Sequence, residues 1–205
     1  MKQYIEDFLK NWSQGNGVEI YNETAFQFEL GGYLREKLKP GGYKVHFERD
    51  IMSLYGLSGL YKRNPDILIF KGNDPQVAEE KYAIELKYPM PSDGPTDKMF
   101  EMLMDIAFVH QLKANDFEGA YAITLTNRPE FYNNNSKEKA ESIPKTPKRG
   151  DIFHTNSPKI VLSNPTKYYK TKKGTGRDIM VPSFTGSWET LYNDYRYYII
   201  EGKGE

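Results

Sequence analysis

Two stretches decide the fold: Asn64-Pro65-Asp66-Ile67-Leu68-Ile69-Phe70 and, beyond a turn-rich link at Lys71-Gly72-Asn73-Asp74-Pro75, Ala83-Ile84-Glu85-Leu86-Lys87. Both are apolar and β-branched enough to be strands, and both carry charge. Strand side chains alternate between faces, so Glu85 and Lys87 project from one face and Ile84 and Leu86 from the other. Charges set in apolar β sequence are costly unless they are paired, solvated at a strand end or used to hold a metal.

Outward from these strands the chain reads as alternating helix and strand. Asn22 is a good N-cap, and Phe26, Leu30, Leu34 and Leu38 recur at helical spacing until Pro40-Gly41-Gly42 stops the helix. Lys2 to Trp12 reads as a shorter helix, and Tyr43 to Glu48 alternates as a strand. Gly56 to Arg63 reads as a loop or bulged hairpin. After the turn formers Pro89 to Pro95, a helix from about Asp97 to Ala114 carries Met99, Leu103, Ile106 and His110 along one stripe. Gly119 to Thr126 follows as a buried strand, and the strand–helix–strand order predicts a crossover to a parallel neighbour. Asn127 to Pro158 is polar and reads as a long surface excursion. Tyr195 to Glu201 suits a last strand, preceded by a turn of helix within Trp188 to Asp194. The expected fold is α/β, with a central mixed sheet of four to five strands flanked by helices. It forms one domain over 1–205, with a core at about 22–126 and a basic excursion and C-terminal elements over 127–205.

Composition narrows the chemistry. The chain has 205 residues, is 38% hydrophobic and 14% aromatic, and contains no cysteine. Its mean hydropathy is −0.72. Disulfide scaffolds, thiolate metal sites and a cysteine nucleophile are therefore excluded, and a metal must be held by oxygen or imidazole. Glu6 and Asp7 interrupt the first ten residues, and no apolar stretch approaches membrane-spanning length, so a soluble, cytoplasmic protein without membrane contact is expected. Net charge is formally zero, yet between Pro144 and Arg177 nine basic residues face Asp151 alone.

Asp66 and Glu85 on adjacent strands would form a pair of hard oxygen ligands suited to magnesium or manganese. Lys87, on the face of Glu85, would orient or help deprotonate a water and offset phosphate charge. A simple Glu85–Lys87 ion pair, with Asp66 capping a turn, uses the same residues without any catalysis. Helical geometry at about 100° per residue puts Glu23 in the centre of the Phe26–Leu30–Leu34 stripe and Glu29 to its side. As a first-turn acid, Glu23 also suits the helix dipole. Glu48 could approach the same site or sit on the surface, and Gln111 could meet a phosphate or simply be solvated. The histidines at 46, 110 and 154 lack ligand spacing, and His110 suits a core position. Neither a phosphate-cradling glycine loop nor a serine nucleophile motif is present.

The order of a helix bearing Glu, a strand, Pro65-Asp66 at a strand start, Glu85-Leu86-Lys87, helix and strand resembles the PD-(D/E)xK nucleases over Glu23 to Thr126. The resemblance implies a restriction endonuclease-like core and a metal-dependent hydrolase of phosphodiester bonds. It assigns Asp66, Glu85, Lys87 and Glu23 as catalytic, and Asp66, Glu85, the Leu86 carbonyl and Glu23 as ligands of Mg2+ or Mn2+. It favours DNA over RNA as the substrate and allows a homodimer. The basic stretch with interleaved aromatics offers Lys167, Tyr168, Lys170, Lys172, Lys173 and Arg177 to nucleic acid, with Arg63 and Lys62 as further backbone contacts. A nucleic-acid-binding protein that keeps the fold without turnover, or an unrelated α/β domain, also accommodates these residues.

Overall fold

A computed structural model describes residues 1–16, 19–132, 152–153, 158–170 and 177–204. Helix α1 spans Lys2–Asn11 and α2 spans Glu23–Leu38. The Asn22 backbone is extended and its Oδ1 accepts from Ala25 N at 2.7 Å, satisfying a donor that the first turn leaves open. A 3₁₀ turn at Lys39–Gly41 and Gly42, at φ 78°, end the helix and turn the chain into β1, Tyr43–Phe47. A short helix α3 at Ile51–Tyr55, capped by Asp50, stands where the sequence suggested no element. Then come β2 at Ile67–Lys71, β3 at Lys81–Lys87, α4 at Pro95–Lys113 and β4 at Gly119–Thr126. The C-terminal part adds β5 at Lys159–Leu162, β6 at Thr166–Lys170, β7 at Arg177–Val181, β8 at Phe184–Ser187, β9 at Glu189–Thr190 and β10 at Arg196–Glu201.

The central sheet is mixed and six-stranded, in the order β1-β2-β3-β4-β10-β9. The expected four to five strands fall short because β10 pairs antiparallel with β4 and recruits the two-residue β9. Strands β1, β2 and β3 form an antiparallel meander, and α4 carries the chain to β4, which runs parallel to β3. Two small antiparallel ribbons, β5–β8 and β6–β7, lie outside this sheet.

Alternation divides the sheet residues between two cores. Ile67, Ile69, Ile84, Leu86 and Ile123 face α1 and α2, where they meet Ile5, Leu9, Phe26, Leu30 and Leu34. Leu68, Phe70, Ala83, Ala122 and Ile200 face α4 and meet Leu103, Ile106 and Val109. Each fully buried Leu or Ile side chain contributes about 1.5–3 kcal/mol, so both faces are strongly specified. A one-residue slip of β3 would exchange Glu85 and Lys87 with Ile84 and Leu86. Among the described residues, no helix is long and apolar enough to cross a membrane.

The C-terminal region departs from its reading as a surface excursion. Phe131, Tyr132, Ile152 and Phe153 lie in the α4-side core, and Trp188 Nε1 donates to the Phe153 carbonyl at 3.2 Å. Apolar residues at both ends of that polar segment thus pack inward; its middle lies outside the described residues. The two ends of the basic stretch pair as antiparallel strands, with Tyr168 opposite Ile179 and Lys170 opposite Arg177. Its inward-facing residues, Tyr168, Ile179 and Val181, complete the packing around α4.

Candidate active site

The β2 entry is held by backbone contacts. The Asp66 carbonyl accepts from Gln27 Nε2 at 2.7 Å and from Glu48 N at 3.2 Å, which ties α2 and the end of β1 to this point. Asn64 Nδ2 donates to the Glu48 carbonyl at 2.9 Å. Glu48, with φ 48°, therefore serves the turn through its backbone. One step beyond the Ile67–Ile84 pair, the antiparallel register puts Asp66 opposite Glu85, on one face of the sheet. Asp66 Oδ2 accepts from Leu86 N at 2.6 Å.

Glu85 is fully buried on the α4 side, and two residues not singled out for catalysis in the sequence meet it there. Asp105, 2% exposed, projects from α4 toward the sheet, and Lys62 reaches in from the loop before β2. The Lys62 ammonium contacts Glu85 Oε2 and lies 3.1 Å from Asp105 Oδ1. Lys87 Nζ lies 3.3 Å from Asp105 Oδ2, an electrostatic contact without hydrogen-bond alignment. It also donates to Glu23 Oε1 at 3.1 Å and to the Leu86 carbonyl at 3.0 Å. Glu23 Oε2 accepts from Tyr88 N at 3.3 Å. The result is a continuous chain, Glu85–Lys62–Asp105–Lys87–Glu23, with Asp66 beside it.

The loop that delivers Lys62 is clamped by α4. Gln111 Oε1 accepts from Tyr61 N at 2.8 Å and Gln111 Nε2 donates to the Gly59 carbonyl at 3.2 Å. Gln111 thus uses both ends of its amide on this loop and shapes the approach of Lys62. His110 is buried, and its Nδ1 accepts from Lys203 N at 3.3 Å, in keeping with a core position.

Four carboxylates and two ammonium groups leave a formal charge of −2 (−4 + 2) in this cluster. Burial, and then the charge of Asp105, push the Asp66 carboxyl up to about 6 against the opposing pull of Lys62 and Lys87. Glu85 is driven well above the usual carboxylate range, first by burial and then by Asp66 and Asp105, with Lys62 opposing. Burial works to discharge both lysines, but Asp105, joined by Glu85 at Lys62 and by Glu23 at Lys87, outweighs it and raises both. Both lysines therefore stay charged, and it is at Asp66 and Glu85 that the excess of carboxyls over ammonium groups is felt.

Asp66 and Glu85 supply hard oxygen donors, the type that could hold a divalent cation. Glu85 Oε1 is buried and has no hydrogen-bond partner among the described residues, which leaves a carboxyl oxygen unsatisfied on the strand position opposite Asp66. Among the described residues, no group of three or more His, Asp or Glu side chains is gathered to hold an ion. Magnesium commonly uses one or two carboxylates and completes its octahedron with water and substrate phosphate, so two suffice.

Other expected site residues fall elsewhere. Glu23, rather than Glu29, is the helix acid that contacts Lys87. Its position in the first turn of α2, at the end of β3, puts its two oxygens on the Lys87 ammonium and on Tyr88 N. The Leu86 carbonyl, the expected backbone ligand, already accepts from Lys87. Arg63 pairs with Asp50 at 2.6 Å. Lys167 pairs with Asp178 at 3.0 Å. Tyr168 is 4% exposed, so its ring is a core residue and not a stacking platform. Lys170 and Arg177 are described only as a backbone pair between β6 and β7, and Lys172 and Lys173 lie outside the described residues. The signal for Asp105 was an acid inside the apolar run Met102 to Val109; Lys62, read as a nucleic-acid backbone contact, pairs with Glu85 and Asp105, which nothing near it in the sequence marks.

Comparison of the chain with protein-family models, with curated proteins and with solved structures returned no match.

Proposed function

We propose that the protein is a metal-dependent nuclease that hydrolyses phosphodiester bonds, in DNA before RNA, from a site of the PD-(D/E)xK type. The observation that carries this reading is Glu85 Oε1, a fully buried carboxyl oxygen opposite Asp66 that has no hydrogen-bond partner among the described residues, in a cluster of four carboxyls and two lysines. A bound divalent ion there would neutralise phosphate charge and lower the pKa of a coordinated water. Asp66 and Glu85 are its side-chain ligands. Lys87, held charged well above neutrality, acts as a fixed cation beside the water and the phosphate rather than as a base. Glu23 and Asp105 anchor its ammonium from two sides, so its position is set before substrate arrives.

The test is incubation of purified protein with single- and double-stranded DNA and RNA in magnesium, manganese or EDTA. Metal-dependent products that vanish in EDTA and in Glu85→Gln are expected. Absence of cleavage of every form, with no metal binding in calorimetry, would overturn the catalytic reading. One observation favours a second reading, a nucleic-acid-binding protein without turnover: Lys62 already engages Glu85 Oε2. That reading requires equal nucleic-acid affinity in wild type and Lys87→Ala, with no products from either.

A further inference from the structure

Lys62 occupies one oxygen of the carboxylate that a metal would use, while the other oxygen stands bare. Of the two site lysines it is the more exposed and the one outside a strand. Lys87 is 9% exposed, sits within β3, and is held by Glu23, Asp105 and the Leu86 carbonyl. Lys62 is 22% exposed, comes from a loop, and among the described residues pairs with two carboxylates, Glu85 and Asp105, the latter at 3.1 Å. Departure from Glu85 therefore leaves its ammonium paired with Asp105 rather than stranded, which removes the usual cost of breaking a buried ion pair.

We infer that Lys62 is a displaceable counter-ion: it compensates Glu85 in the metal-free protein and withdraws toward Asp105 when a divalent ion takes that carboxylate. The inference rests on the metal site proposed above. Its physical basis is repulsion: an ammonium on one oxygen of Glu85 and a divalent ion on the other repel each other strongly in a water-poor site. The exchange sets metal affinity below what the two acids alone would give. It also ties metal occupancy to the loop, since Gln111 grips Tyr61 N and Gly59 O, and Tyr61 Oη accepts from Met180 N at 2.8 Å in β7. Loosening that grip eases the withdrawal.

The experiment is calorimetric titration of Mn2+ into wild type, Lys62→Met, Gln111→Ala and Lys71→Met. Lys62→Met is expected to bind about tenfold more tightly or better, because the competing charge is gone. Gln111→Ala is expected to bind a few-fold more tightly, about threefold, because the loop yields more readily. Lys71→Met, which removes a surface lysine paired with Glu80, is expected to bind as wild type does. Unchanged or weaker binding in Lys62→Met, or equal tightening in Lys71→Met, overturns the exchange while leaving the metal site standing. If Lys62→Met does not fold, unchanged affinity in Gln111→Ala overturns it instead. No Mn2+ binding by any of the four overturns both the exchange and the metal site.

Discussion

Replacing Asp66 by asparagine is expected to stabilise the metal-free protein at alkaline pH and to leave it unchanged in acid. Asp66 has its carboxyl raised from 3.8 to about 6, chiefly by burial. A carboxyl raised on folding keeps its proton in the folded chain after the unfolded chain has released it. Its contribution is thus fully present below pH 3.8, falls as pH rises, and is lost once pH passes about 6. A difference of about two pH units at 1.36 kcal/mol each corresponds to about 3 kcal/mol. Asp66 is only partly removed from solvent, so screening brings the expectation to about 2 kcal/mol. The asparagine Oδ1 can still accept from Leu86 N, so the change isolates the charge. Urea unfolding in EDTA at pH 4 and pH 8 measures it. Equal stability at pH 4 and an advantage of about 2 kcal/mol for Asp66→Asn at pH 8 are expected, against a decline in both proteins from Glu85. Saturating magnesium should reverse the order at pH 8, since an ion at 100 times its Kd adds about 2.7 kcal/mol to wild type alone. An asparagine variant destabilised equally at both pH values would refute the idea of a strained carboxylate.

Lys87→Ala removes the ammonium shared by Glu23 and Asp105, and an expected loss of about 3 kcal/mol should show in chemical denaturation, with nuclease activity at least about a hundredfold lower in the folded protein. Tyr168→Ala should cost about 3–5 kcal/mol by emptying a core position while leaving the affinity of the folded protein for single-stranded DNA unchanged. A weakened affinity measured by anisotropy, with stability intact, would return this ring to the surface. Gly202→Ala would drive a methyl group into the Val109 carbonyl of α4, beside the bond from Gly202 N to Ala120 O at 2.8 Å. The helix backbone cannot yield cheaply, so a loss of about 1–3 kcal/mol in thermal or urea unfolding is expected.

Local signals carried the first two-thirds of the chain well. Asn22 and Pro40-Gly41-Gly42 bound α2 because capping and chain reversal depend on a few adjacent residues. Strand alternation was enough to place Glu85 and Lys87 together, and the turn-rich link was enough to suggest that Asp66 faces them. What failed was whatever depended on tertiary partners. Asp105 matters because α4 crosses directly over β3, and a helical acid carries no mark of what it will cross. Lys62 matters because Gln111, far along the chain, turns its loop inward. Tyr168 looked available to a base because its neighbours are lysines, yet pairing of β6 with β7 alternates it into the core. The sixth strand was missed because β9 is two residues long and exists only by pairing with β10.

The central claim is that Asp66 and Glu85 share a divalent ion, and a crystal grown with manganese tests it most directly. The account predicts an anomalous peak between the Asp66 carboxylate and Glu85 Oε1, with the Lys62 ammonium withdrawn to Asp105. A crystal saturated with manganese that shows no peak there, with Lys62 still seated on Glu85, would contradict it.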